Sequence, residues 1–182
     1  MQAIADGSEE LRRLEAASQA AALRFIETAR ALSTKRTAAA EKLAKAILTE
    51  LAPLKLERAR FEAEVDANET RPGAHGVDQV EFMVAANPGT PLAPLIKVAS
   101  GGELARFMLA LKVVLAAKGS APVLIFDEID TGVGGAVADA IGKRLRSLAK
   151  DLQIIAVTHS PKDYSEGDGS PDVVITCGDS KV

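Results

Sequence analysis

The sequence predicts an α/β protein joined to one long N-terminal helix, and three observations predict it. Residues 8–66 are dominated by Ala, Leu, Glu, Lys and Arg, with no Gly between Ser8 and Asn68, as a long helix requires. Two near-continuously apolar runs, Val123–Phe126 and Gln153–Thr158, have the character of buried parallel strands. Helical stretches at Gly101–Ala117 and Gly134–Lys150 precede them, so from Lys97 onward the order is helix, strand, helix, strand.

The long helix carries a 3-4 spacing of Leu11, Leu14, Ser18, Ala21, Phe25, Thr28 and Leu32, the pattern of a coiled-coil seam. A second stripe, Leu43, Ile47, Leu51 and Leu54, restarts after the polar stretch Ser33–Thr37. Two arrangements fit: a helical hairpin packed on itself, or one arm of an antiparallel coil whose partner lies elsewhere. Without that partner, Leu43 and Ile47 are expected to be exposed along with the rest of the stripe. Pro53 should end or kink the helix near Ala52, because its ring clashes with the preceding turn and it has no N–H to donate.

Residues 67–76 (ANETRPGAHG) form a turn-rich break. Val77–Ala86 alternates as a strand with Val80, Phe82 and Val84 on one face. Asn87–Pro94 is a proline-rich loop, and Asp172–Thr176 is a candidate last strand. The expected division is an arm over residues 1–66 and a lobe over residues 67–182.

Composition excludes several function classes. With 182 residues and 47% hydrophobic content, a packed core can form. Aromatics at 3% and no Trp argue against a surface that stacks nucleic-acid bases. A net charge of −3 argues against coating DNA by bulk electrostatics, though not against a local basic strip. The single Cys177 permits no internal disulfide, as suits a reducing compartment. The acidic N-terminus has no apolar signal core, and no apolar run reaches membrane-spanning length. A cytoplasmic protein without membrane contact is the expectation.

Three short elements carry chemistry. Ser100-Gly101-Gly102-Glu103 opens the helix of the lobe. A capping box explains Ser100 and Glu103. It does not explain two glycines, which cost about 1 kcal/mol each against Ala in a helix. Bare N–H groups at a helix start bind anions, and glycine lets a phosphate approach closely. Next, the strand Val123–Phe126 releases Asp127 and Glu128 at its C-terminal edge, where open α/β sheets place ligands. Asp127 could hold Mg²⁺ and Glu128 could orient or deprotonate a water. The plainer alternative is an acidic turn with Asp130 simply solvated. Third, His159 follows the second strand, on the same expected edge of the sheet. Taken alone, a His there is more often a structural hydrogen-bonding residue than a catalyst.

One false match is rejected. Gly135–Arg144 (GAVADAIGKR) ends near a Gly-Lys pair, but six residues separate the glycines where a phosphate loop has four, and Arg144 replaces the hydroxyl residue. Lys143, Arg144, Arg146 and Lys150 read as a solvated face or a DNA-facing strip. His75 lies in a Gly-rich turn and carries no assigned role.

As a set, SGGEL, LIFDE and His159 resemble the signature, Walker B and switch histidine of the ABC ATPase superfamily. The chain is most similar to the SMC-like bacterial DNA-repair branch. Gly134 stands six residues after Glu128, where a transporter or SMC head usually has Asp, and the Asp130–Gly135 run DTGVGG is similar to that branch's loop. EFMVAANPGTPLAPLIKVASGGELAR and LSTKRTAAAEKLAKAILTELAPL also look like it.

The resemblance covers roughly residues 8–161 and implies the C-terminal lobe of an ABC-type P-loop ATPase head with the returning arm of a coiled coil. It implies ATP and Mg²⁺ as cofactors, with Asp127 on the metal, Glu128 activating water and His159 sensing the γ-phosphate. Ser100, Gly101, Gly102 and Glu103 would form the signature that meets the γ-phosphate held by a second head. It also implies an ATP-sandwiched homodimer, DNA as partner, a nucleoid-associated location and a role in double-strand-break repair. The phosphate loop with its Lys is not among these 182 residues, so an N-terminal half is an implied partner. The rival reading is a helical interaction fragment that binds partners but no nucleotide. After Pro161 the sequence turns polar and Gly-rich where that branch continues with an apolar helix.

Overall fold

The computed structural model describes residues 2–98, 101–115, 122–127, 129–130, 133–150, 152–158 and 173–177. Helix α1 runs unbroken from Gln2 to Leu51, 50 residues, or about 75 Å at the usual rise. The polar stretch Ser33–Thr37 does not interrupt it, and within it Thr34 and Thr37 donate their hydroxyls to the carbonyls of Arg30 and Ser33. A helical hairpin within these residues is thereby ruled out.

The helix stops where Pro53 predicts. A short 3₁₀ turn, Ala52–Leu54, follows, and Lys55 adopts the left-handed conformation at φ 61°. The Leu56 N–H then bonds the Leu51 carbonyl at 3.2 Å, a reversal in which Lys55 takes the position that glycine usually fills.

Helix does not continue to residue 66 as the composition suggested. Strand β1 spans Arg60–Ala67 and β2 spans Asp78–Ala85. The alternation of Phe61, Ala63 and Val65 overrides the helix propensity of the intervening Glu residues, since Phe61 is buried and Glu62 exposed. The loop expected at Asn87–Pro94 ends in a two-residue strand β3, Ala93–Pro94, paired antiparallel with β2 through Met83↔Pro94 and Val84↔Ala93. These strands form one sheet in the order β1-β2-β3. On β2 the expected apolar face holds only at one end. Val84 is 3% exposed and Val80 50% exposed.

Helix α2 (Gly101–Leu115), strand β4 (Val123–Asp127), helix α3 (Gly135–Leu148), strand β5 (Gln153–Thr158) and strand β6 (Val173–Cys177) follow. β4, β5 and β6 form a second sheet, parallel throughout and ordered as numbered. The false phosphate-loop match is the body of α3.

The chain divides into two compact units, Met1–Ala40 with Glu64–Glu81, and Glu41–Ala63 with Phe82–Val182. In the first, Ala29 and Val77 are buried. Arg36 Nη1 lies 2.6 Å from Asp78 Oδ2, whose side chain is fully buried, and Arg30 pairs with Glu69. The hydrogen bonds from Arg36 and Ser33 hold the Asp78 carboxyl below the usual carboxylate range. The hairpin turn is fixed by mutual Gly73–Gly76 backbone bonds of 2.9 and 3.1 Å, with Gly76 at φ 103° against Arg36 and Leu32.

In the second unit, Ile47, Leu51 and Leu54 sit in one apolar core with Phe107 and Leu109 of α2, Ile141, Leu145 and Leu148 of α3, and Ile154 of β5. Ile47, expected to lie exposed, is fully buried, because the last turns of α1 pack into this core. Leu43, expected exposed with it, is partly buried against the same core. The Phe61 and Phe82 rings pack with centroids 5.6 Å apart.

Candidate nucleotide-binding site

The parallel register sets the edge of the sheet. Asp127, the last residue of β4, lies opposite Val157 of β5, and β5 ends one residue later at Thr158. The carboxylate of Asp127 is exposed at that edge. Glu128 and His159, the other two residues expected there, lie outside the described residues, as does Ser100.

α2 begins at Gly101. A Cβ added to Gly101 would meet nothing within 4 Å, so packing does not require glycine at this position. Gly102 is buried, and Glu103 is the acidic residue of the first turn. Gly101 and Asp127 line the same groove, of about 330 Å³, with Leu104, Met108 and Lys112 of α2 and Ile125 of β4. Two of the sequence-predicted elements, the glycine turn and the strand-end aspartate, thus share one opening.

The groove is open because β4 has a neighbouring strand on one side only among the described strands. Its apolar residues were expected to be buried, yet Ile125 is 69% exposed. An uncovered apolar edge strand is a surface that native sheets pair or cover.

Two buried charges escaped the sequence reading. Asp130, read in the plainer alternative as a solvated residue, is buried, and its carbonyl accepts the Val133 N–H at 3.2 Å. Arg106 of α2 is 8% exposed, with Nε and Nη1 buried and without an acceptor. Burial pulls its guanidinium below the ordinary arginine range, and the nearby Glu103 carboxylate opposes that shift.

The basic face of α3 is partly neutralised. Lys143 pairs with Asp139 at 2.8 Å, and Arg144 pairs with Glu50 at 2.8 Å with only 17% of its side chain exposed. Among the described residues no helix is long and apolar enough to cross a membrane.

A long helix leading into an α/β lobe is the fold of part of an SMC head domain. The Smc head domain with an extended coiled coil from Pyrococcus furiosus superposes with a TM-score of 0.54, covering 94% of this chain and 37% of that one at 19% identity. By sequence, the DNA repair protein RecN of Rickettsia conorii is 45% identical over 145 residues, 80% of this chain and 26% of that protein. RecN of Vibrio cholerae is 43% identical over 138 residues, 76% of this chain and 25% of that protein. The chain belongs to the RecN family and spans about a quarter of the length of these curated relatives. No protein-family model matches it.

Proposed function

We propose that this chain is the C-terminal part of an SMC-like ATPase head acting in DNA double-strand-break repair, completed by an N-terminal half that carries the phosphate loop. The observation that carries this reading is the 45% identity over 145 residues to a DNA repair protein, in a chain that sets Gly101 at the start of a helix and Asp127 at the end of a parallel strand. In this reading residues 1–66 are the returning arm and residues 67–182 the lobe, and the protein works in the cytoplasm on the nucleoid.

The residues fit the nucleotide. Open space at Gly101 leaves room for a phosphate against the start of α2. Among the described residues no group of three or more His, Cys, Asp or Glu could hold a metal by itself. One exposed aspartate suits Mg²⁺, which takes most of its ligands from phosphate and water. ATP and Mg²⁺ supply the reacting phosphoryl group and the neutralisation of its charge. Asp127 holds the metal in place. Glu128 accepts a proton from the attacking water. His159 donates a hydrogen bond toward the terminal phosphate. Ser100, Gly101 and Gly102, with Glu103 shaping the turn, present their N–H groups to the phosphate bound on a second head. That contact makes closure of a head homodimer depend on ATP.

The test uses the chain in complex with its N-terminal half. Glu128→Gln keeps the shape but loses the base, so it should trap an ATP-bound head dimer. Asp127→Asn should weaken nucleotide retention. Ser100→Arg should leave ATP on one head and abolish dimerisation. Normal ATP-dependent dimerisation of Ser100→Arg, measured by sedimentation, would reduce the glycine turn to a helix cap and end the two-head reading.

A second reading, an interaction fragment without nucleotide chemistry, is favoured by one feature. Leu11, Leu14 and Leu23 on α1 are 57, 54 and 73% exposed, which suits a helix that binds partners. Nucleotide binding by the complex but not by the chain alone would support the first reading. Its absence from both would support the second.

A further inference from the structure

We infer that the turn joining β1 and β2 is a clasp on α1, which keeps the helix closed across Ser33–Thr37 and, when released, frees it to bend there. The clasp is independent of any nucleotide chemistry in the lobe. Every contact in it lies within the first compact unit, Met1–Ala40 with Glu64–Glu81. Three of the five residues in Ser33–Thr37 are Ser or Thr, which are weaker helix formers than Ala. The Thr34 and Thr37 hydroxyls donate to the carbonyls four residues back, a bond that slightly destabilises a helix and often bends it. The helix there gains from support outside itself.

The hairpin supplies that support. Just before the stretch, Arg30 donates to both oxygens of Glu69, at 2.5 and 3.0 Å. Within it, Arg36 Nη1 meets Asp78 Oδ2 at 2.6 Å. Gly76 brings its backbone against the same side of α1. A Cβ there would lie 3.4 Å from Arg36 Nη1 and 3.6 Å from Leu32 Cδ2. The turn is closed on itself, since the Asn68 N–H donates to the Val77 carbonyl at 2.9 Å and Gly73 and Gly76 exchange backbone bonds. It therefore bears on the helix as one piece. The two ion pairs differ in weight. Arg30 and Glu69 are exposed, so water readily replaces their contact. The Asp78 side chain is fully buried and that of Arg36 only 30% exposed. Parting them leaves a buried carboxylate without its cation, so this pair is the latch.

The experiment measures amide hydrogen-exchange protection in the full 182-residue chain by NMR. Three groups of amides are followed: residues 33–37 of α1; Asn68, Gly73 and Gly76 of the turn; and Ile47 and Leu51, which are fully buried and report whether the rest of the chain stays folded. Arg36→Met removes the latch without weakening the helix itself, since Arg and Met are similar helix formers. It should lower protection about tenfold at the turn and at residues 33–37, and leave Ile47 and Leu51 within about twofold. Adding Thr34→Ala and Thr37→Ala strengthens the helix alone. In that triple variant residues 33–37 should return to within about threefold of wild type while the turn stays loose. A loosened turn with unchanged protection at residues 33–37 overturns the proposal, because the helix then needs no clasp. So does a loss at residues 33–37 that the two alanines do not restore, because the hairpin then only shields those amides. A turn that keeps its protection in Arg36→Met shows that the ion pair is not the latch, and also overturns it. Should Arg36→Met not fold, Asp78→Ala, which removes the buried charge instead of stranding it, carries the same expectations and the same contrary outcomes.

Discussion

Arg144 Nε donates to Glu50 Oε2 at 2.8 Å, joining α3 to the end of α1 across 94 positions of sequence. Arg144 Nη1 also donates to the Ala140 carbonyl at 3.0 Å. With side-chain exposures of 17 and 27%, this pair is less screened than a surface ion pair. Arg144→Ala should lower the unfolding free energy by about 1–2 kcal/mol, and a double-mutant cycle with Glu50→Ala should give a coupling of about 1 kcal/mol. Urea unfolding of the four proteins measures it. Zero coupling would mean the pair adds nothing to the attachment.

Asp78 makes stability depend on acid. Its folded-state pKa is depressed by hydrogen bonds from Arg36 and Ser33. Its stabilising contribution is therefore complete above the unfolded-state value of about 4 and is lost as pH falls through the lower folded value. Asp78→Asn should be less stable than wild type at pH 7 and should lose less stability between about pH 4 and pH 2. Equal acid slopes for the two proteins in denaturant melts would contradict this.

Lys55 sits at φ 61°, outside the range a lysine favours. Left-handed backbone costs a non-glycine residue about 1–2 kcal/mol, and glycine gives back roughly 0.5–1 kcal/mol in unfolded-state entropy. Lys55→Gly should raise stability by about 0.5 kcal/mol and the melting temperature by a few degrees. A fall in melting temperature would show that the lysine side chain contributes something the reversal needs.

Gly101→Ala separates a helix cap from a ligand contact. The added Cβ meets nothing within 4 Å, so the fold should tolerate it, with stability unchanged or raised by up to about 1 kcal/mol. ATP-dependent head dimerisation in the complex should fall at least about fivefold, because a methyl group now stands where a phosphate would approach. Unchanged dimerisation would leave the glycine without a ligand role.

Exposed Leu11, Leu14 and Leu23 should make the isolated chain self-associate. Sedimentation across a concentration series should show oligomers that Leu14→Glu and Leu23→Glu disperse. A monomer at every concentration would mean that the stripe is too broken to pair.

Much of this architecture was legible from local pattern. Pro53 marked the end of α1, and the apolar runs marked β4 and β5 to within a residue. β1 was not legible, because RFEAEVDA mixes strong helix formers with a short alternation whose strand character depends on Phe61 packing against Phe82. The burial of Ile47 was equally hidden, since a heptad stripe looks the same whether it faces another helix or a lobe. The positions of Gly101 at the start of α2 and Asp127 at the end of β4 were readable from the sequence pattern. Arg106 was not, because an arginine on a mostly apolar helix gives no sign of being sealed inside.

The uninterrupted run of α1 has a mechanical consequence. A continuous helix of 50 residues converts angle into distance. A tilt of about 10° at Leu51 carries the far end through about 13 Å, several times the displacement of any atom near the pivot.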